Sequence, residues 1–201
     1  MKNSYLFSLI AFISLALVLF FSINGFSTSG QNNKPDSISG LERAIFAGGC
    51  FWCMEPPFEK LPGVSKVISG YTGGKKVDPS YKEVAGGSTD HAEAIEVHYD
   101  PSKISYNDLL EVFWRNIDPT DRNGQFVDRG KQYRPAIFYY NKDQKKLAEK
   151  SKNKLAKSKR FKSKIETRIV KATRFYNAEE YHQDFYKKST VRYKIYRVGS
   201  G

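Results

Sequence analysis

Cysteine is scarce in this 201-residue chain, which has two and none after Cys53. Histidine is nearly as scarce, with only His91, His98 and His182. Neither residue type falls into the paired spacing of a zinc site, so a structural zinc module is excluded and no metal is read from the sequence. There is no Gly-x-x-x-x-Gly-Lys-Ser/Thr phosphate loop and no Gly-x-Gly-x-x-Gly turn, which sets aside the common nucleotide and dinucleotide folds. No segment repeats at a fixed period, which argues against solenoids and propellers. Acidic residues are short at one end only. Residues 141–201 hold 19 Lys and Arg against 6 Asp and Glu, a balance of +13 within a chain of net charge +12. Such an excess can mark a nucleic-acid or membrane surface. These lysines, however, spread along a helix-forming stretch, Lys142 to Arg160, with few aromatics between them. They read as a solvated helix face, and no nucleic-acid partner is assigned to them. The alternative is a basic adaptor that binds acidic polymers through residues 142–174.

Charge is wholly absent from Tyr5 to Ile23, a run of apolar and small residues preceded by Lys2. A bilayer needs about 20 such residues, and a signal core only roughly 7–15. Residues 1–23 are therefore expected to be a cleaved signal or an uncleaved anchor, and both remain open because no clean cleavage site follows. Residues 24–40, rich in Ser, Asn and Gly, read as a linker. Lys2 favours insertion with the amino terminus inside, so an exported location is expected, periplasmic or otherwise extracytoplasmic. Residues 41–201 are enough for one domain with a substantial core and too few for two.

Within that domain Arg43 to Ala47, Val64 to Tyr71, Pro135 to Tyr140 and Arg168 to Ala172 lean towards strand. Glu93 to Tyr99 alternates, with Glu93, Ile95, Val97 and Tyr99 on one face. Ser105 opens a helix with Asp108 three residues on and an apolar stripe of Leu109, Leu110, Phe113 and Ile117. Asn141 with Gln144, and Asn177 with Glu180, read as further helix starts. Met54 to Lys60 carries helix formers, and Pro56 and Pro57 are expected in a first turn. Strands alternating with helices in one domain indicate an α/β or α+β sandwich.

The chemistry gathers at Cys50-Phe51-Trp52-Cys53. The loop between these cysteines is too short for a disulfide to restrain much unfolded chain, so its value must be chemical. Cys50 follows Gly48-Gly49 and precedes the helix, where the dipole and free N–H groups are expected to favour the thiolate. Cys53 lies one turn on and faces the same side, within disulfide reach. A buried hydrophobic cysteine pair is the bland alternative. Glu93 is the one carboxyl in a core-facing row. Desolvation there would hold a proton for donation, unless the residue merely caps the strand at the surface.

With these residues in hand the sequence resembles the A-type peptide methionine sulfoxide reductases, from about Arg43 to Val198. The centre of the likeness is Ala47-Gly48-Gly49-Cys50-Phe51-Trp52. Gly70-Tyr71-Thr72-Gly73-Gly74, Pro79-Ser80-Tyr81-Lys82-Glu83-Val84, His91-Ala92-Glu93-Ala94 and Gln132-Tyr133-Arg134 follow in family order. The resemblance implies an α+β fold, a two-layer sandwich with a ferredoxin-like core and a mixed sheet flanked by helices. It implies reduction of the S epimer of methionine sulfoxide, free or in proteins, without a cofactor and with an external dithiol of the thioredoxin type as reductant. By the same likeness Cys50 attacks the sulfoxide sulfur, Glu93 protonates the oxygen, and Tyr81 and Tyr133 hydrogen-bond it. Phe51 and Trp52 form the apolar wall for the S-methyl group, and Asp128 orders the site. With no later cysteine, Cys53 is the internal resolving thiol, and the chain is expected to act as a monomer. Two departures stand out: many members have Gly at the position of Cys53, and Arg129 stands where His is frequent. A thioredoxin-like thiol–disulfide oxidoreductase shares the Cys-x-x-Cys helix start but leaves Glu93 without a role.

Overall fold

The computed structural model describes residues 40–200. The run Tyr5 to Ile23 and nearly all of the linker lie outside the described residues, and the signal-or-anchor expectation lies there with them. No helix among the described residues is long and apolar enough to cross a membrane. In chain order come β1 (Glu42–Ala47), α1 (Phe51–Glu59), β2 (Val64–Thr72), α2 (Tyr81–Ala85) and β3 (Ala92–Tyr99). Then follow α3 (Tyr106–Arg115), the short strands β4 (Gly124–Gln125) and β5 (Asp128–Arg129), and β6 (Ala136–Tyr139). The last part holds α4 (Lys142–Lys157), β7 (Arg168–Lys171), β8 (Tyr176–Asn177), α5 (Phe185–Lys188) and α6 (Thr190–Gly199).

Six strands form one mixed sheet in the order β7-β6-β1-β3-β2-β8, and β4 and β5 make a separate hairpin. β6 and β7 are parallel with α4 as their crossover, while the other pairs are antiparallel. This is an α+β mixed sheet with flanking helices. β3 lies between β1 and β2, and seven of its eight residues are buried, because residue groups pack over both faces of the sheet. The alternation read from the sequence therefore separates two covered faces, not core from solvent.

On one face an aromatic group fills the space under the helices. Phe46 stacks with Phe58 and with Phe113 at 5.2 Å each, and with Tyr106 at 6.1 Å. The other face is built of smaller residues, Ile45, Ala47, Ala92, Ala94 and Ala136 with Phe138, and Tyr140, Val170, Ala172 and Phe175 pack over it. The helix starts follow their caps. Ser105 accepts from the Asp108 amide at 3.2 Å while the Asp108 carboxylate accepts from the Ser105 amide at 3.0 Å. Asn141 accepts from the Gln144 amide at 2.8 Å, and the lysines of α4 stand almost all on its exposed side.

Two local expectations are corrected. α1 begins at Phe51, so Pro56 and Pro57 lie in its second turn and not its first. The Trp52 and Cys53 carbonyls then meet residues without an N–H four positions on. Asn177 does not open a helix; Tyr176 and Asn177 pair with β2 instead. Gly70 permits that pairing, because a Cβ there would lie 2.3 Å from the Tyr176 carbonyl oxygen. Between β8 and α5, where the helix start was expected, the chain makes a single short turn, Glu180–His182.

Candidate active site

β1 ends at Ala47, and Gly49 turns the chain with φ +89°, a conformation costly for any side chain. A Cβ there would also sit 2.8 Å from the Gln125 side chain. Cys50 is thereby set at the N-cap of α1, its carbonyl accepting from the Cys53 amide at 3.0 Å and the Met54 amide at 3.3 Å. Both cysteines are free thiols and half-buried.

The first N–H of α1 is not spent on the thiol. The Phe51 amide donates to Glu93 Oε2 at 3.2 Å, so the helix start holds a carboxyl group. Burial, and then the neighbouring Glu93 charge, push the Cys50 thiol well above its usual range, with a Tyr196 hydrogen bond and the Trp52 amide pulling back. A thiolate favoured by the helix start alone is not what the resting site holds.

Glu93 is fully enclosed on β3, opposite Tyr71 of β2. Desolvation raises its carboxyl to about 8, against the pull of the Phe51 N–H and helped by the charge of Asp128. It is therefore a proton donor at neutral pH and no surface cap. Tyr81 opens α2, its amide donates to Glu179 Oε1 at 2.8 Å, and its ring lies 4.3 Å from His182. Burial, then Glu93 and Cys50, push its hydroxyl up to about 12. Tyr133 ends the short turn Lys131–Tyr133, and burial, then Glu93, Tyr81 and Cys50, raise its hydroxyl too. Both tyrosines thus stay protonated donors in the field of the same two groups.

Phe51 is buried against Tyr71 at 6.0 Å and His182 at 5.0 Å. The Trp52 ring stacks on Phe185 at 3.7 Å and meets the edge of Tyr196 at 5.7 Å, while its Nε1 donates to His182 Nδ1 at 3.1 Å. Asp128, on the β4–β5 hairpin, accepts a hydrogen bond from the Tyr196 hydroxyl. Arg129 is engaged instead by Asp121 at the surface. The Cys53 sulfur lies 4.0 Å from Ser200 Oγ; burial raises its thiol and the Arg197 charge opposes that. A narrow cleft joins Gly48, Gly49, both cysteines, Asp128 and Ser200. A larger cavity of about 700 Å³, between α3 and α4, contains none of these side chains.

The structure thus gathers Cys50, Phe51, Trp52, Cys53, Tyr81, Glu93, Asp128 and Tyr133 into one place. Sequence reasoning missed its supports. Glu179 accepts from the Tyr71 hydroxyl at 2.7 Å as well as from Tyr81, which ties β2 to α2. His182 is buried and touches Phe51, Trp52 and Tyr81; because Trp52 Nε1 can only donate, the His182 proton sits on Nε2. Tyr196 comes from α6. The scarcity of histidine was the only signal that could have drawn attention to His182.

The family model described as peptide methionine sulfoxide reductase matches residues 42–201. The chain is 60% identical over 161 residues to the peptide methionine sulfoxide reductase MsrA of Listeria monocytogenes, which spans 80% of this chain and 91% of that protein. The chain belongs to the peptide methionine sulfoxide reductase family. The Bacillus subtilis MsrA is 56% identical over 160 residues, 80% of this chain and 90% of that protein. Among solved structures, reduced Mxr1 from Saccharomyces cerevisiae superposes with a TM-score of 0.72 at 34% identity, over 78% of this chain and 90% of that one. The methionine sulfoxide reductase A of Corynebacterium diphtheriae gives 0.68 at 32%, over 76% of each. The reductase performs thiol-dependent reduction of the S epimer of methionine sulfoxide to methionine, and so repairs oxidised proteins. A general thiol–disulfide oxidoreductase is thereby set aside.

Proposed function

We propose that Cys50 is the nucleophile of this reductase, Glu93 its general acid and Cys53 its resolving thiol. The observation that carries the assignment is the enclosed Glu93, raised to about 8 beside the helix start that bears Cys50. Cys50 attacks the sulfoxide sulfur, Glu93 protonates the leaving oxygen, and Tyr81 and Tyr133 donate to that oxygen as charge develops. Phe51 and Trp52 bound the S-methyl group, and Asp128 orders the site. The substrate sulfur gains two electrons and becomes a thioether, and Cys50 loses two as a sulfenic acid. Cys53 then displaces water from that sulfenic acid to form the Cys50–Cys53 disulfide, which an external dithiol reduces. A thioredoxin-type protein fits that last role; the yeast relative Mxr1 has been solved in complex with Trx2.

Cys53→Ser separates the steps. Its first turnover should stay near one methionine per chain, and dimedone should trap the sulfenic acid at Cys50. Steady-state turnover on a thioredoxin-type reductant should fall at least about 10-fold. Unchanged cycling would mean that the external dithiol attacks Cys50 directly.

The proposal extends to place. Residues 1–23 act as a signal or anchor, 24–40 as a linker and 41–201 as a monomeric reductase domain outside the cytoplasm, supported by the uncharged run Tyr5 to Ile23. An extracytoplasmic dithiol carrier then regenerates the enzyme. Fractionation should find it in the membrane or exported fraction, and intact protein in the cytosol would contradict the placement.

A further inference from the structure

α6 rides on the surface of the domain, with none of its residues fully buried. Its inner side is Tyr193, Tyr196 and Arg197, each partly covered. Tyr193 packs by Tyr186 at 6.0 Å and Tyr196 by Trp52 at 5.7 Å. Outward it shows Val191, Ile195 and Val198, which are 72%, 70% and 84% exposed. At this spacing the three fall on one stripe about 60° wide. Lys194 flanks the stripe on one side and Arg192 on the other; both are exposed, and α6 contains no Asp or Glu. A surface helix in water turns its apolar stripe to the core. α6 turns tyrosines inward and its aliphatic stripe outward. Single exposed aliphatics are ordinary, but three in one stripe between two cations ask for a partner.

The chemistry of the stripe favours lipid over protein. Protein–protein contacts are depleted of lysine. An aliphatic stripe bracketed by Lys and Arg is the pattern of a helix lying along a bilayer surface, where the cationic stems follow the apolar layer and their heads reach the phosphates. Anionic headgroups supply the opposite charge. At 10 residues α6 is about 15 Å long, so it lies on a membrane and does not cross one. The rest of the chain brings a membrane within reach. Tyr5 to Ile23 is uncharged and of crossing length. Residues 24–40 span up to about 55 Å when extended, more than the roughly 40 Å width of a domain of this size.

We infer that α6 is a membrane-docking helix, which lays Val191, Ile195 and Val198 into the surface of an anionic bilayer with Lys194 and Arg192 at the headgroups. The inference goes beyond the placement proposed above, since a chain cut free of residues 1–23 keeps the same helix. Its inner side holds to the reductase site: Tyr196 donates to Asp128, and Ser200, just past the helix, lies 4.0 Å from the Cys53 sulfur. Docking therefore keeps the cleft of Cys50 and Cys53 close to the bilayer, where oxidised methionines of membrane-bound proteins are its nearest substrates.

The chain has two tryptophans, Trp52 and Trp114, and none in residues 1–40. Val198→Trp in the full chain therefore reports from α6, with the unsubstituted chain as baseline. The variant is mixed with vesicles of acyl-brominated phosphatidylcholine, with and without phosphatidylglycerol, and flotation is read in parallel. Its added emission should be quenched by about half in the phosphatidylglycerol vesicles and hardly at all in the others. Ile195→Glu or Lys194→Glu, added to that variant, should cut the quenching at least about threefold. Each should keep the wild-type rate on free methionine sulfoxide, which also shows that it folds. Val191→Trp, on the same stripe, is the second probe should Val198→Trp not fold. No quenching in the anionic vesicles, or equal quenching in both, would overturn the docking helix whether or not the chain floats. Flotation with both vesicles but no quenching would leave residues 1–23 as an anchor and strip α6 of its role. Quenching and flotation with the anionic vesicles alone would uphold α6 and sink the anchor instead. A dimer in sedimentation that Ile195→Glu dissolves would give the stripe to a second copy and overturn the proposal.

Discussion

Glu93 is a carboxylic acid in a place where its anion is disfavoured, and that leaves a thermodynamic trace. Its folded pKa of about 8 lies above the ordinary value of 4.5. Between those two values the native state holds a proton that the unfolded chain has released, so the stability from this group falls as pH rises. The contribution is complete below about 4.5 and lost above about 8. Glu55, raised by burial to about 7, acts in the same direction and is common to the wild type and a Glu93 variant. Glu93→Gln should therefore melt above the wild type at pH 8 to 9, by several degrees for a domain of this size, and with it near pH 4. Calorimetry at the two pH values checks this, and an equal difference at both would mean that Glu93 does not titrate across that window. At this scale Cys50 and Glu93 were legible because their types and neighbours are distinctive. Tyr196, one of 13 tyrosines, was not, since its hydrogen bond to Asp128 depends on a fold that joins residues 68 positions apart.

Elements were legible where a local cap and a local stripe agree. α3 is such a case: Ser105 and Asp108 cap each other, and Leu109, Leu110 and Phe113 fall on the buried side. Ser105→Ala should lower stability by about 1 kcal/mol. In urea titrations the midpoint should drop while the slope stays fixed, and no change in midpoint would contradict the cap. Elsewhere tertiary contacts overrode local signals. Asn177 and Glu180 have the spacing of a helix start, but sheet pairing beside side-chain-free Gly70 claims residues 176 and 177. α1 tolerates Pro56 and Pro57 in its second turn, with Pro56 and Phe58 buried against the sheet. Packing there outweighs a cost of roughly 3 kcal/mol for proline inside a helix. No window of sequence that short displays such a balance.

Over the whole molecule, the sheet and helices serve mainly to bring distant short segments to the end of β1. Cys50 and Glu93 come from the centre of the fold, Tyr81, Asp128 and Tyr133 from short turns around it, and His182 and Tyr196 from the C-terminal part. The mixed sheet with flanking helices was readable from alternating strand and helix signals; the wrapping of the C-terminal part was not, because its exposed face carries Val191, Ile195 and Val198 where a solvent face would be polar. Seven of the 19 basic residues of the C-terminal third lie on α4, six of them exposed and away from the chemistry, whereas Arg197 of α6 acts on Cys53. The central claim is that this site moves oxygen from one sulfoxide epimer to Cys50 and traps it with Cys53. The most direct measurement mixes reduced enzyme with each separated epimer, without added reductant, and counts methionine and disulfide together. The S epimer should yield about one methionine and one Cys50–Cys53 disulfide per chain, and the R epimer neither. Equal yields from both epimers, or methionine formed while both cysteines remain thiols, would contradict the account.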